Sequence, residues 1–373
     1  MNRNVIAVTM ALLLTAGVGC SSDDDAADAT VATTDNPTAP LTAPPAAADF
    51  AATTTASATA SSTTPPAAAD DTVVGDGEPW VVFHGVELGL TLARLDGTGL
   101  HTILDGHTDH PDWSPDGAEI AYVDGGDVFI TDTAGEQSRR LVEAYPAGLD
   151  GLYWEDPAWS RDGTQIAMVG YGGNPEGTPA RSVLAIVDVA TRELSVAGEL
   201  ALADGLHSFP RWSPAGDALV LNVDHFTGDN YDGGTVAVVR QSGDSWSAPQ
   251  PITEHGQYGR VDWHPTDDLI VFGQYDIGFW EDTDEPTNLF TIRPDGTERN
   301  SVTTFGPGEA RAAQPTWATD GRIMFAYITG AADADRAVAT IDSDGSNLQI
   351  VLEPAVVGQH NRPYPRLRPA PSD

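Results

Sequence analysis

One short motif returns along the chain at nearly constant spacing, and this repeat constrains the fold more than any other feature. Its copies read "PDWSPDGAEIAY" (111–122), "PAWSRDGTQIAM" (157–168), "PRWSPAGDALVL" (210–221), "VDWHPTDDLIVF" (261–272) and "PTWATDGRIMF" (315–325). The repeated tryptophans are 46, 53, 51 and 54 residues apart, at Trp113, Trp159, Trp212, Trp263 and Trp317. Near the C-terminus, Pro365 and Leu367 in "YPRLRP" take the places of the motif proline and tryptophan.

Each copy is followed by two more apolar runs joined by Asp, Gly or Ser, which is typical of a β-hairpin. The first such pair reads "VFITDTAGEQSRRLV" and the last reads "VATIDSDGSNLQIVL". A similar pair, "WVVFHG" with "LTLARLDGTGLHTIL", comes before the first tryptophan. The pattern therefore predicts five units of four strands, with three strands before them and one strand after them.

This arrangement predicts an all-β fold, a six-bladed β-propeller. A four-stranded unit cannot bury both of its faces alone, whereas radial repetition buries each unit against its neighbours and leaves only short edges. The three N-terminal strands and the C-terminal strand together complete a sixth blade and close the ring. A β-solenoid or an open stack is the alternative, but neither needs complementary half-blades at its two ends. We number the closing blade one, and the five complete units two to six.

The motif "PxWSPDGxxIAY", followed by "xxxDxDGxxxxxL", resembles the repeat of TolB-like, WD-repeat-like β-propellers over residues 79–369. Some copies depart from it, because "WSRDG" and "WATDG" lack the proline, "WSPAG" lacks the Asp and "WHPTDD" lacks the Gly. TolB itself carries an α/β domain before its propeller, whereas this chain has a low-complexity tract there. We therefore do not expect the role of TolB with the peptidoglycan-associated lipoprotein to carry over.

The N-terminal stretch "MNRNVIAVTMALLLTAGVGC" reads as a lipoprotein-type signal peptide over 1–19, followed by the single cysteine, Cys20. We expect lipidation of Cys20; an ordinary cleaved signal and an uncleaved anchor are the alternatives. Residues 20–78 form an Ala/Thr/Pro/Asp-rich linker that is expected to be disordered. Residues 370–373 are a short tail. The sequence thus predicts export across the cytoplasmic membrane and a lipid-anchored position in the cell envelope.

The formal charge of the chain is −37, and its 18 basic residues are all arginine. A field of this sign repels phosphate backbones and anionic lipids, so we expect no nucleic acid partner and expect membrane contact through the lipid anchor. Solubility or adaptation to salt explains the charge, and recruitment of a basic partner is the alternative. We expect a monomer.

The sequence contains no Gly-x-Ser-x-Gly elbow, P-loop, His-Glu-x-x-His or cysteine pair. It therefore favours a non-catalytic binding module. A propeller enzyme of hydrolase or lactonase type, which would use the channel mouth, is one alternative. A structural scaffold of the envelope is the other.

The loops that lead into the Pro-x-Trp strands are expected to surround the mouth of the central channel, and they differ from blade to blade. Aromatic faces among a few polar groups are typical of ligand sites, so we expect a peptide or protein segment, or a small ligand, to bind there. Arginines on three successive blades also predict a basic wall facing an acidic wall. The candidate ligand-binding residues are His107, His110, Trp154, Glu155, Asp156, His207, Tyr258, Arg260, Arg311, Gln314, Arg362 and Tyr364.

No cofactor is required by any motif, but two acidic loops on the same face carry oxygen ligands of the kind that Ca²⁺ prefers. One loop, "DNYDGG", contains Asp229 and Asp232, and the other contains the acids of 281–285. Their spacing matches no defined calcium loop, so a solvated acidic loop is the alternative. The repeated Asp-Gly pairs on the opposite face are expected to be structural turns.

Overall fold

The computed structural model describes residues 74–75, 78–85, 89–146, 151–173, 179–227, 230–275, 286–329, 335–357 and 364–369. Within these residues the chain forms strands β1 to β25, a four-residue helix α1 (Pro354–Val357) and a 3-10 turn (Leu202–Asp204). Neither helical segment in this part of the chain is long and apolar enough to cross a membrane.

The strands pair in six antiparallel sheets, which are the six blades. Blade one has the order β25 (Arg366–Leu367), β1 (Trp80–Gly85), β2 (Gly89–Arg94) and β3 (His101–Leu104). Blade two contains β4 (Thr108–Trp113), β5 (Glu119–Asp124), β6 (Asp127–Asp132) and β7 (Arg139–Val142). Blade three contains β8 (Leu152–Trp159), β9 (Gln165–Gly173), β10 (Pro179–Asp188) and β11 (Leu194–Ala201).

The other three blades repeat this order. Blade four contains β12 (Leu206–Trp212), β13 (Ala218–Thr227), β14 (Asn230–Ser242), β15 (Ser245–Trp246) and β16 (Gln250–Pro251). Blade five contains β17 (Gln257–Trp263), β18 (Ile270–Tyr275), β19 (Thr287–Ile292) and β20 (Asn300–Ser301). Blade six contains β21 (Arg311–Trp317), β22 (Ile323–Thr329), β23 (Asp335–Ile341) and β24 (Gln349–Leu352). The predicted six-bladed propeller is confirmed.

The ring closes in blade one, where the C-terminal strand β25 pairs with the N-terminal strand β1. Val81 lies opposite Leu367 in this antiparallel pair. Beyond the strand, the backbone N–H of Arg368 donates to the carbonyl oxygen of Trp80 at 2.7 Å. Leu367 also packs against the apolar cluster shared by blades one and six, at the place where the other blades have a motif tryptophan. The predicted closure by the two ends of the propeller is therefore confirmed.

The motif tryptophans form the core between blades, as predicted. Each of the five is at most 8% exposed and packs against the blade that precedes it. Trp113 shares a cluster with Leu92 of blade one, and Trp263 shares one with Val238 of blade four. Burial of an indole of this size contributes roughly 4–5 kcal/mol of transfer free energy, so each blade is held to its neighbour by its own motif.

The Asp-Gly repeats are turns, also as predicted. Oδ1 of Asp116 accepts hydrogen bonds from the hydroxyl of Ser114 at 2.6 Å and from the backbone N–H of Ala118 at 3.0 Å. These bonds, the hydroxyl bond first, lower the pKa of the Asp116 carboxyl. Each carboxylate thus closes its own turn and is not available to form a cluster of acids.

The strand that carries the Pro-x-Trp motif, which we call the inner strand, contains a β-bulge in blades two to six. In blade two the register shifts between Asp109 and Asp112, and equivalent shifts recur in the four later blades. A bulge is one of the few places where a sheet tolerates proline, and it re-aims the adjacent side chains. The residue before the motif proline has a left-handed φ of 53° to 56° in four blades, at His110, Asp156, Phe209 and Gln314.

Candidate functional site

The residues just before the motif proline form a layer that we call the mouth layer. In blade five, where a valine replaces the proline, the residue just before that valine belongs to it. The centre of the layer is Arg260 of blade five, whose Nη2 lies 3.3 Å from Oδ1 of Asp156 in blade three. The Arg260 guanidinium also lies 4.4 Å from the ring centre of Phe209 and 3.8 Å from that of Tyr364. Contacts with three other blades place this guanidinium across the channel. The mouth layer consists of His110, Asp156, Phe209, Arg260, Gln314 and Tyr364.

His110 connects the mouth layer to a second carboxylate. Its Nδ1 lies 3.0 Å from Oε2 of Glu155 and 3.2 Å from Oδ1 of Asp156. Burial by itself lowers the pKa of His110, but the negative charges of Asp156 and Glu155 outweigh burial and raise it. The backbone N–H of Asp156 also lies 3.2 Å from Nδ1; in the protonated ring Nδ1 carries a hydrogen, and the charge-assisted bond to a carboxylate is the stronger one.

Asp224, on the second strand of blade four, is a buried acid next to this layer that the sequence did not single out. Oδ2 of Asp224 accepts a hydrogen bond from the Ser208 hydroxyl at 2.5 Å. Burial raises the pKa of Asp224 to about 7, the Ser208 bond opposes this, and the charge of Asp156 adds to it. The mouth therefore holds several carboxyl groups around one arginine and one histidine.

Three polar atoms of the mouth layer are buried and have no hydrogen-bond partner among the described residues. They are Nη2 of Arg260, Oδ1 of Asp156 and Oε1 of Gln314. Nη2 of Arg260 and Oδ1 of Asp156 are an ion pair, but their geometry falls short of a hydrogen bond. Buried polar groups in native proteins are almost always bonded, so this combination of one donor and two acceptors indicates that the layer binds a further molecule or water.

Three of the predicted mouth residues lie elsewhere. Trp154, His207 and Tyr258 are at most 6% exposed and pack between blades. The Trp154 indole donates to the carbonyl oxygen of Glu143 at 3.0 Å, and Nδ1 of His207 lies 3.1 Å from the Ser182 hydroxyl. Burial lowers the pKa of His207 to about 4. The structure therefore places these three side chains between blades and not in the mouth layer, because the bulge changes the alternation of side chains along the inner strand. Their role in binding a ligand stays a prediction.

The predicted basic and acidic walls stay a prediction. Arg260 and Asp156, which belong to opposite walls in that prediction, are in direct contact. Arg311 is half-buried at the start of its inner strand, and His107 is exposed just before β4. Arg362 and Cys20 lie outside the described residues, so their predicted roles stay predictions.

The described residues contain no group of three or more His, Cys, Asp or Glu side chains that could hold a metal ion. Asp232 is exposed, and its carboxylate accepts a hydrogen bond from the Thr227 hydroxyl at 3.4 Å. Asp229 and the acids of 281–285 lie outside the described part of the chain. The calcium site therefore stays a prediction.

A second layer, which the sequence did not predict, consists of the residues between the motif proline and the motif tryptophan. Ionic contacts link it across the ring: Nη1 of Arg366 lies 3.1 Å from Oδ2 of Asp262, and Nε of Arg366 lies 3.5 Å from Oδ1 of Asp112. Blades three apart carry the same charge at this position, so the layer has a pseudo-twofold pattern. In blade order from two to one, the residues are Asp112, Ala158, Arg211, Asp262, Thr316 and Arg366.

No protein-family model and no curated protein matches the chain. Its structure is similar to that of TolB from Acinetobacter baumannii, with 16% identity over 79% of this chain and 68% of that chain and a TM-score of 0.56. It is also similar to a putative TolB from Agrobacterium tumefaciens, with 14% identity over 79% of this chain and 99% of that chain and a TM-score of 0.53. A puromycin hydrolase mutant matches over 74% of this chain and 45% of its own length, with 16% identity and a TM-score of 0.51. At these identities the similarity shows the propeller fold alone.

Proposed function

We propose that this propeller is a non-catalytic binding module that takes a peptide segment at the mouth layer, and that a lipid on Cys20 tethers it in the cell envelope. The observation that carries the binding proposal is the set of three buried atoms that have no hydrogen-bond partner among the described residues, Nη2 of Arg260, Oδ1 of Asp156 and Oε1 of Gln314. A ligand that satisfies them must offer both acceptors and donors within a few ångströms.

A peptide backbone meets this requirement, because each residue other than proline carries one N–H donor and one carbonyl acceptor. The rings of Phe209 and Tyr364 enclose the Arg260 guanidinium, so an arriving chain meets an apolar surface around a fixed donor. The exposed fraction of Arg260 is only 6%, so its bonds to a ligand would form away from bulk water, where they are strongest.

The test is selection of peptides from a random heptamer display library on the immobilised propeller. Synthetic versions of the enriched peptides would then be titrated into the wild type and into the double variant Arg260→Met/Asp156→Asn, which removes both members of the ion pair together. We expect the double variant to weaken binding at least about tenfold, as for loss of a buried charge-assisted hydrogen bond.

The matched control is Arg293→Met, because Arg293 is a half-buried arginine in a turn of blade five, where it pairs with Glu298. It should leave peptide affinity unchanged. Failure of the library to enrich any peptide, or enriched peptides whose affinity is the same for the wild type and the double variant, would contradict the proposal.

His110 favours one second candidate, hydrolysis at the same mouth. An imidazole beside two carboxylates, with a raised pKa, is suited to general acid–base chemistry. Lactone and ester substrates, with and without added Ca²⁺, test this candidate. Turnover that His110→Gln abolishes would favour the enzyme over the binding module.

A further inference from the structure

The second layer borders a cavity at the end of the channel opposite the mouth layer, where the Asp-Gly turns lie. Its volume is about 70 Å³, which is room for several water molecules or for one small polar group. Thr319 and Pro265, from turns of blades six and five, stand at its rim and are exposed and half-buried, respectively. The cavity therefore opens towards the turn face of the propeller.

Three arginines and two aspartates line this cavity, so its formal charge is +1 in a chain whose net charge is −37. Arg161 comes from the turn of blade three, and its Nη2 donates to the carbonyl oxygen of Trp263 in blade five at 2.9 Å. Arg366 contacts both aspartates. A local excess of cations is unusual for this protein, which has 18 basic and 55 acidic residues.

The carboxylate oxygens of the lining are already engaged. Oδ2 of Asp112 accepts from the backbone N–H of Trp159 at 2.8 Å, and Oδ1 of the same carboxylate lies 3.5 Å from Arg366. Asp262 accepts from the backbone N–H groups of Trp263 at 3.0 Å and Trp317 at 2.8 Å. These acids hold the blades together, and few of their lone pairs remain to accept further bonds from the arginines of the cavity.

Arg211 is the arginine of the lining with unused capacity. Its exposed fraction is 5%, and its Nε is buried without a hydrogen-bond partner in the described part of the chain. Nη1 donates to the carbonyl oxygen of Pro210 at 2.8 Å, but the nearest carboxylate atom, Oδ1 of Asp262, is 3.9 Å from Nε. Burial, and next the positive charge of Arg366, lower the pKa of Arg211 to about 10. The negative charge of an anion in the cavity would stabilise the charged guanidinium of Arg211 and so oppose both effects.

We infer that this cavity is a binding site for a carboxylate group, held by Arg211 with Arg366 and Arg161 beside it. A guanidinium with free donors is suited to a planar carboxylate, which accepts two parallel hydrogen bonds. The surrounding indoles and prolines suit an organic anion with a small apolar body better than a fully hydrated inorganic ion. The carboxylate belongs either to a small metabolite or to the C-terminus of a peptide. The site is separate from the mouth layer and does not depend on the function proposed for that layer.

Indole fluorescence offers a direct test, since Trp113, Trp159, Trp212 and Trp317 all line the cavity. The probes are sodium acetate, N-acetyl-glycylglycine and N-acetyl-glycylglycine amide, each titrated at constant ionic strength set with NaCl. We expect saturable changes with the two carboxylates and none with the amide. Tighter binding of acetate would identify a small free carboxylate as the ligand class, and tighter binding of the acylated dipeptide would identify a peptide terminus.

The variant Arg211→Met keeps the length of the side chain and removes its charge, and we expect it to weaken acetate binding at least about tenfold. Arg293→Met is the control and should bind like the wild type, and the mouth variant Arg260→Met should do so too. If Arg211→Met does not fold, ¹³C-acetate line broadening with the wild type, competed by unlabelled acetate but not by acetamide, gives the same answer. Three outcomes would each overturn the inference. They are equal responses to the free acid and the amide, no saturable response in the wild type, and unchanged affinity in folded Arg211→Met.

Discussion

Oδ2 of Asp262 accepts a hydrogen bond from the backbone N–H of Trp317 at 2.8 Å, so a carboxylate of blade five holds the inner strand of blade six. Asp112 of blade two makes the equivalent bond to Trp159 of blade three, also at 2.8 Å. Both carboxylates contact Arg366, which belongs to the closing strand. The ring is therefore held by buried charges as well as by strand pairing and apolar packing.

Replacing Asp262 by Ala should lower the free energy of unfolding by about 3–5 kcal/mol, as for a buried ion pair that loses one partner. The Trp317 amide would lose its acceptor, and Arg366 would lose its 3.1 Å contact. Urea unfolding followed by indole fluorescence measures the change. Blade three carries Ala158 at the equivalent position, so a small side chain fits there and the cost comes from the lost bonds.

The control for this substitution is Asp295→Ala, in an exposed turn of the same blade, where Oδ1 accepts bonds from the backbone N–H and the hydroxyl of Thr297. We expect it to cost no more than about 1 kcal/mol. Similar unfolding midpoints for Asp262→Ala and Asp295→Ala would show that the buried carboxylate does not hold blade six.

Truncation after Val357 should unfold the whole ring, because it removes β25. The edge of β1 would be left unpaired, and the indole N–H of Trp113 would lose the carbonyl oxygen of Arg366, its acceptor at 3.0 Å. Removal of 370–373 alone is the matched control and should leave the melting temperature unchanged. Near-UV circular dichroism measures the melting temperature. A truncated protein with the same melting temperature as the full-length chain would contradict closure by β25.

The closing strand could be predicted because Pro365 and Leu367 keep the spacing of the motif even though the tryptophan is gone. A simple alternation of side chains could not predict which residues before the motif point into the channel and which point into the core. Such an alternation places Trp154 on the same side as Asp156. The register shift between Glu155 and Ala158 takes in Asp156, however, and the Trp154 indole lies in the core. The signal was present in the proline that four of the five complete motifs carry, since proline inside a sheet marks a bulge or an edge. Blade five has Val261 at this place and is bulged as well.

The charged layer between the motif proline and tryptophan was visible in the sequence only as a variable position. Asp112 and Asp262 are three blades apart, as are Arg211 and Arg366, so the pseudo-twofold pattern follows from the order of the repeats. Which charges meet depends on distances across the channel, and so does the absence of a hydrogen-bond partner for Nε of Arg211 among the described residues. Distances of this kind require the closed ring and are not encoded in the motif spacing.

Cys20→Ser should move the protein from the membrane fraction to the soluble fraction of its host. The expectation follows from the signal sequence, because a lipid on Cys20 would be the anchor, and stable anchoring takes more than one acyl chain. Fractionation followed by immunoblotting measures the distribution, and Ser21→Ala is the control that leaves the cysteine in place. If Cys20→Ser stays in the membrane pellet after a high-salt wash, the lipoprotein prediction is wrong.

Asp224→Asn should change how stability depends on pH. Burial, against the Ser208 hydrogen bond and with the charge of Asp156, raises the pKa of Asp224 from 3.8 to about 7. The folded protein therefore binds an extra proton between about pH 4 and 7, and the stability this proton contributes is complete below about pH 4 and is lost as the pH rises through 7. Asparagine does not ionise, so the variant does not lose this stability as the pH rises.

The free energy of unfolding of Asp224→Asn, relative to that of the wild type, should thus increase by about 3 kcal/mol from pH 4.5 to pH 8, because most of the three-unit shift in the pKa of Asp224 acts within this range. Urea unfolding at pH 4.5, 6 and 8 measures the difference. The pKa of His207 is lowered to about 4 and acts in the opposite direction over the same range, but it is common to both proteins and cancels in the comparison. The control is Asp232→Asn, at an exposed position, whose free energy of unfolding should stay within about 0.5 kcal/mol of the wild type, as for a surface substitution. A pH-independent difference for Asp224→Asn would mean that Asp224 titrates as an ordinary aspartate, and that no buried, protonated acid lies next to the mouth layer at this position.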